Sequence, residues 1–279
     1  MLLRQGDSGG AVKALQGNLN KLGAIVLVDG GFGGETRDAL ADARVALNLP
    51  GASAEAEDAL QDALAAVADP LPALSAAGVT FIARHEVSSP AGYRRSFSRP
   101  IWPEGESGVT IGIGYDLRFS DEAQLRADWG DHLSEAQLQR LKTVLRIQGT
   151  KALADGLNDV DVPLRAAMVV FVARSLPDTI AKARRIYPEI DTLTPAQQTA
   201  LASLVYNRGA ALTDSGDPAR QNRREMREIK ALLAENKLES VADQIDSMRR
   251  LWDPQSGLVR RRHEEATLWR SGFAALQLA

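Results

Sequence analysis

Val12, Leu15, Leu19 and Leu22 recur at helical spacing and Gly23 follows as a stop, so residues 10–22 predict an amphipathic helix. A second helix is predicted from Glu35 to Leu47, and the run Ile25-Val26-Leu27-Val28 between the two leads into a glycine-dense loop, Asp29-Gly30-Gly31-Phe32-Gly33-Gly34. Such a loop turns sharply and leaves backbone amides exposed. Residues 53–72 are Ala-rich with a short helix and end in Asp69-Pro70-Leu71-Pro72, where two prolines block helix continuation. The domain boundary is placed there. Beyond it, Ala73 to Glu86 predicts a helix, and Tyr93 to Leu117 an irregular hairpin region rich in Gly, Ser and aromatics. Helices then dominate. Ser134-Glu-Ala-Gln137 and Thr194-Pro-Ala-Gln197 are both capping boxes, the second with proline at the first helical position. The helix begun at Thr194 stops at Gly209, and a last helix covers Leu258 to Trp269.

At 279 residues the chain is long enough for two domains, each with its own core. Composition is that of an ordinary helical globular protein, with 44% hydrophobic and 25% charged residues. There is no cysteine, and His85, His132 and His263 are too far apart in sequence to form a local ligand pair, so neither a metal nor another cofactor is expected. No apolar stretch with a cleavage site opens the chain, and no run of about 18 apolar residues occurs, so it is expected to be made in the cytoplasm without a signal peptide and without membrane insertion. The net charge of −3 argues against a nucleic-acid binder. That charge is uneven, since residues 1–72 carry five basic and ten acidic side chains.

The first fifty residues resemble the small helical peptidoglycan-binding domain of bacterial wall hydrolases, through Leu3-Arg-Gln-Gly6, Gly9, Val12, Leu15-Gln16, Leu19, Leu22-Gly23, Asp29-Gly30, Phe32-Gly33 and Thr36. Val45 stands where that family has an aromatic. The resemblance implies a three-helix unit whose wall contacts come from the 29–34 loop, with Asp29 and Phe32 as binding residues.

Residues 75–272 resemble the phage-type lysozymes of glycoside hydrolase family 24, and more closely their pesticin-like relatives. Three segments carry the match: Phe81-Ile-Ala-Arg-His-Glu86, Val109-Thr-Ile-Gly-Ile-Gly-Tyr-Asp116, and a C-terminal pair. That pair is Ala202-Ser-Leu-Val-Tyr-Asn207-Arg-Gly209 and, after Trp252, Gly257-Leu-Val-Arg-Arg-Arg262-His-Glu-Glu265. In the phage enzymes the catalytic aspartate lies between the glutamate and the threonine, where this chain offers only Glu104 and Glu106; the pesticin-like order, Glu then Thr then Asp, fits better. The resemblance therefore implies Glu86, Thr110 and Asp116 as catalytic residues, with Tyr115, Tyr206 and Asn207 contacting substrate.

The implied fold class is mainly α: a three-helix binding domain at 1–52, a linker at 53–72, and a lysozyme-like α+β domain with a small β-hairpin region at 73–279. Glycoside cleavage needs a proton donor for the leaving oxygen and a carboxylate on the other face of the sugar. Glu86, ending an apolar helix, suits the acid; Asp116 suits the carboxylate beside a strand whose Gly112 and Gly114 leave room for a sugar; Thr110 can hold a water through its hydroxyl. The expected function is a monomeric cell-wall muramidase whose partner is peptidoglycan, acting in the periplasm or outside the cell. A lytic transglycosylase and a non-catalytic wall-binding protein are the alternatives. The arginines 260–262 are expected on a solvated helix face paired with Glu264 and Glu265. Gly6-Asp-Ser-Gly-Gly10 looks like a serine-protease loop, but only seven residues precede Ser8, which leaves no place for the partner histidine and aspartate upstream.

Overall fold

A computed structural model describes residues 1–51, 53–216, 219 and 221–276, side chains of 274–276 excepted. It is mainly helical with one two-stranded antiparallel sheet, as the sequence predicts. The chain divides into two compact units, Met1–Pro72 with Ala83–Ser175, and Ala73–Ile82 with Leu176–Ala279.

In the first unit, α1 (Gly10–Lys21) and α2 (Gly34–Ala46) lie within one residue of the ends that periodicity predicts. Their apolar faces meet in a core of Val12, Leu15, Leu19, Leu40 and Ala43. Within residues 53–72, read from the sequence as a linker with a short helix, that helix is α3 (Asp58–Ala65), whose Leu60 and Leu64 are fully buried in that same core. Ala56 pairs its backbone with Leu3, N–H to carbonyl in both directions at 2.8 and 3.1 Å. Arg44, 4% exposed, fixes the start of α3 by donating to a Glu57 carboxylate oxygen at 2.8 Å and to the Glu55 carbonyl at 2.8 Å. The guanidinium holds the Glu57 carboxyl below the usual range. An alanine-rich stretch looks linker-like because its few leucines, four apart, make only a narrow stripe; burial against α1 is what orders it.

The glycine-dense loop hangs on Gln16, which is 1% exposed. Its amide nitrogen donates to Asp29 Oδ1 at 2.9 Å, the Gly31 carbonyl at 3.0 Å and Thr36 Oγ1 at 3.2 Å, and its oxygen accepts the Gly30 N–H at 2.9 Å. One side chain of α1 therefore engages three polar groups of the loop and the Thr36 hydroxyl of α2.

Next comes α4 (Ala76–Val87), through which the division between the units runs. In the first unit it is followed by α5 (Pro90–Ser96), capped by Ser89, and by the hairpin β1 (Thr110–Ile111) and β2 (Tyr115–Asp116). Packed behind these are α6 (Glu122–Trp129), α7 (Glu135–Lys142, with both halves of the Ser134/Gln137 capping box formed), α8 (Lys151–Asp155) and α9 (Leu164–Val170). A π-helical turn, Phe171–Ser175, follows directly. The region predicted as irregular between Tyr93 and Leu117 is thus half right: its start is the helix α5, because Ser89-Pro90 supplies both cap and first-turn proline. The Pro72 boundary does not separate this unit, since Arg84 of α4 donates to the Ile25 carbonyl at 2.8 Å and pairs with Glu35 at 3.3 Å.

The second unit is a helical assembly of α10 (Leu176–Ile186), α11 (Pro195–Arg208), α12 (Arg224–Ala234), α13 (Val241–Ser247) and α14 (Gly257–Leu276). The Thr194/Gln197 capping box opens α11, and Gly209 at φ 72° closes it as predicted. Leu201, Leu204, Ile229, Ile245 and Trp269 form its core. The arginine cluster on α14 is not the solvated face that charge patterning predicts: Arg260 is exposed beside Glu264, but Arg261, Arg262 and Glu265 are 3%, 0% and 0% exposed. Spacing in sequence gives the pairing; only packing against α11 decides that it is buried.

Replacing Gln16 with leucine keeps the volume but strands the Gly30 N–H and the acceptors around it, so chemical denaturation is expected to give a loss of about 2–3 kcal/mol.

Candidate active site

The hairpin is built from the middle matched segment. Register places Thr110 directly opposite Asp116 and Ile111 opposite Tyr115, so the Thr110 and Asp116 side chains share one face. Gly112 turns at φ 59°, and a Cβ there would stand 2.9 Å from the Trp129 ring, so only glycine lets the turn close over that buried indole. Thr110 also pairs on its other side with Ile101, N–H to carbonyl at 2.8 Å and the reverse at 2.9 Å.

Asp116 is half-buried and its carboxylate is held by the backbone. Oδ1 accepts the Arg118 N–H at 2.9 Å, and both oxygens accept the Gly108 N–H at 3.1 Å. A Cβ on residue 108 would stand 2.3 Å from Asp116 Oδ1, so glycine at 108 is what permits this approach. The carboxylate is thereby fixed in orientation with acceptor capacity left over, since an ionised carboxylate has about four lone-pair sites. Thr110 is buried, 7% exposed, and its hydroxyl lies 3.5 Å from the Gly108 carbonyl. Thr110, Asp116 and Gly108 thus form one cluster.

Glu86 sits in the last turn of α4, half-buried, two residues after Arg84, whose anchoring on Ile25 and Glu35 ties this helix end to the N-terminal helices. Glu104 and Glu106 lie exposed on the loop before β1, and Glu104 adopts φ 73°. Tyr115, expected to touch substrate, is instead a core residue, 7% exposed. Its ring meets Trp129 edge-on at 5.5 Å, and its hydroxyl donates to Asp128 at 2.8 Å while accepting from Ser120 at 3.0 Å. Burial pushes its phenol upward. The strand alternation that brings Asp116 to one face sends Tyr115 to the other, into the core.

In the second unit, Tyr206 is half-buried and Asn207 exposed in the last turn of α11. In the first, the expected wall contacts separate. Asp29 is exposed, and the Gly31 N–H at 2.8 Å and the Gln16 amide hold its carboxyl below the usual range. Phe32 is 3% exposed and belongs to the core with Leu3 and Val12, so it offers no surface to a ligand. An aromatic flanked by glycines reads as a binding residue in sequence, but here the glycines supply the turns that fold it inward. Sequence reasoning also missed a cavity of about 490 Å³ in this unit, walled by Leu19, Leu22, Ala39 and Ala43 on one side and Pro90, Tyr93 and Leu164 on the other. Glu35, Asp38, Asp42, Asp161, Arg94 and Arg165 also line it. No signal in the sequence joins these segments.

Among the described residues no group of three or more His, Asp or Glu is placed to hold a metal ion, and no helix is long and apolar enough to cross a membrane. No protein-family model matches the chain, and comparison with curated proteins finds no match.

The two roles of Asp116 separate by substitution. Asp116→Ala removes the acceptor for two backbone amides and is expected to cost about 1–2 kcal/mol by denaturant titration, whereas Asp116→Asn keeps one oxygen as acceptor and should retain most of that stability.

Proposed function

We propose that the protein is a muramidase that hydrolyses the glycan strands of bacterial peptidoglycan. The observation that carries the reading is the hairpin, on which a threonine and a backbone-held aspartate stand opposite each other in the same unit as a helix-ending glutamate. These are the three residues that the resemblance to pesticin-like lysozymes selects.

Glu86 acts as general acid toward the glycosidic oxygen. Asp116 and Thr110 position and activate a water on the opposite face of the sugar, a direct displacement with inversion. The two amides that hold Asp116 orient it before substrate arrives, and such preorganisation is where a fixed carboxylate gains over a solvated one. Peptidoglycan is the partner, engaged by the N-terminal helices, and the wall outside the cytoplasmic membrane is the place of action. Because Phe32 is buried, wall contact falls to the exposed edge of the 29–34 loop.

The same hydrogen bonds favour a second reading. A carboxylate engaged by two backbone amides can be a structural clamp alone, leaving Glu86 as the single catalytic carboxyl of a lytic transglycosylase.

Digestion of purified wall separates them. Hydrolysis yields new reducing ends, transglycosylation yields anhydro ends, and a binder yields neither. Glu86→Gln is expected to fold normally, to sediment with wall as the parent does, and to lose at least about 100-fold in rate. A folded, fully active Glu86→Gln protein would refute the assignment. Activity that survives in Asp116→Asn but falls in Glu104→Gln or Glu106→Gln moves the second carboxylate to that loop.

A further inference from the structure

The second unit holds a concentration of arginines whose counter-charge is incomplete. Arg208 ends α11, Arg223 caps the start of α12, Arg224 follows it, Arg250 precedes α14, and Arg262 lies on α14. Trp252 gathers two of them, with the Arg208 guanidinium 5.1 Å and that of Arg262 5.9 Å from its ring centroid. Two buried carboxylates answer this charge. Glu225 takes Arg250 at 2.7 Å and Arg224 at 2.8 Å; Glu265 takes Arg262 at 2.8 Å and Arg261 at 3.2 Å.

Arg208 and Arg223 are left over. Among the described residues neither guanidinium has a carboxylate within ion-pair distance; Asp214, which accepts the Arg223 backbone N–H at 2.6 Å, and Glu225 offset only part of their charge from further away. Arg208 spends one nitrogen on the Asn222 carbonyl, and Arg223 one on the Arg208 carbonyl at 2.6 Å. The Nε–H of each is buried and has no acceptor. Burial foremost, then repulsion from Arg223 and Arg262, pushes the Arg208 guanidinium down to about 10. A buried N–H without an acceptor costs about 1–3 kcal/mol, and like charges brought together add to that cost.

We propose that Arg208 and Arg223, with Trp252 as platform, form a binding site for a phosphate group. A phosphate supplies what the site lacks: up to two negative charges and several acceptor oxygens, which arginine forks meet with paired hydrogen bonds. The proposal uses none of the candidate catalytic residues, and stands whether or not the muramidase reading does.

The test is titration of the full chain with inorganic phosphate against sodium chloride at equal ionic strength, followed by thermal unfolding and by arginine Nε–H resonances. Phosphate is expected to raise Tm saturably, beyond chloride, and to shift the Nε signals of Arg208 and Arg223. Arg223→Gln and Arg208→Gln should each weaken binding by about tenfold or more. Because Arg208 is also held by Asn222 and Trp252, Arg223→Gln keeps the test decisive if Arg208→Gln fails to fold. A parallel titration with poly(glycerol phosphate) distinguishes the source, tighter binding than inorganic phosphate assigning a polymer-borne group and equal or weaker binding a free one. No saturable effect beyond chloride from either probe, or undiminished affinity in Arg223→Gln, overturns the proposal.

Discussion

A carboxylate taken wholly out of water has to be held by fixed charges and donors, and in the second unit that constraint falls on Glu265. Its Oε1 accepts Ser203 Oγ of α11 at 2.6 Å and the guanidiniums of Arg261 and Arg262 from its own helix. Burial pushes this carboxyl upward while the two cations and the hydroxyl pull against it. Arg261 reaches back to the Ser203 carbonyl at 3.1 Å, so backbone and side chain of one α11 residue are both engaged. Breaking such a pair from one side costs about 3–5 kcal/mol, because the remaining charge stays buried. This cluster ties α14 to α11 through Ser203.

The first unit solves a similar problem with single side chains that bond to backbone. Gln16 there serves three polar groups of the glycine-dense loop and Thr36 of α2, and Asp116 serves two amides around the hairpin. In both cases a short irregular segment is fixed by one side chain from a regular element or its edge, which lets the segment be rigid without a ladder of its own. Arg84 extends the arrangement: bonded to Ile25, which holds φ 49° despite its β-branch, it carries order from the N-terminal helices to the helix end that bears Glu86. By compactness the N-terminal helices group with Ala83–Ser175.

Function rests on different kinds of support in the two units. Around the hairpin it is a residue pattern that resembles pesticin-like lysozymes, on which the muramidase proposal rests; around Arg208 it is an excess of arginine over nearby carboxylate, on which the phosphate proposal rests. The first concerns the reaction, the second a ligand.

What the sequence by itself determined is what acts over a few residues. The capping boxes at Ser134 and Thr194, the stop at Gly209, the periodic faces of α1 and α2, and the glycine turn that pairs Thr110 with Asp116 are all short-range, so their residues carry the information locally. What only the tertiary structure decided is which face meets another element. Ala56, Leu60 and Leu64 of residues 53–72 became core because α1 lies against them, Phe32 and Tyr115 turned inward because loop and strand geometry left them no other side, and Arg261, Arg262 and Glu265 left water because α11 covers them. Burial is a property of pairs of distant segments, and no window along the chain contains both members of the pair.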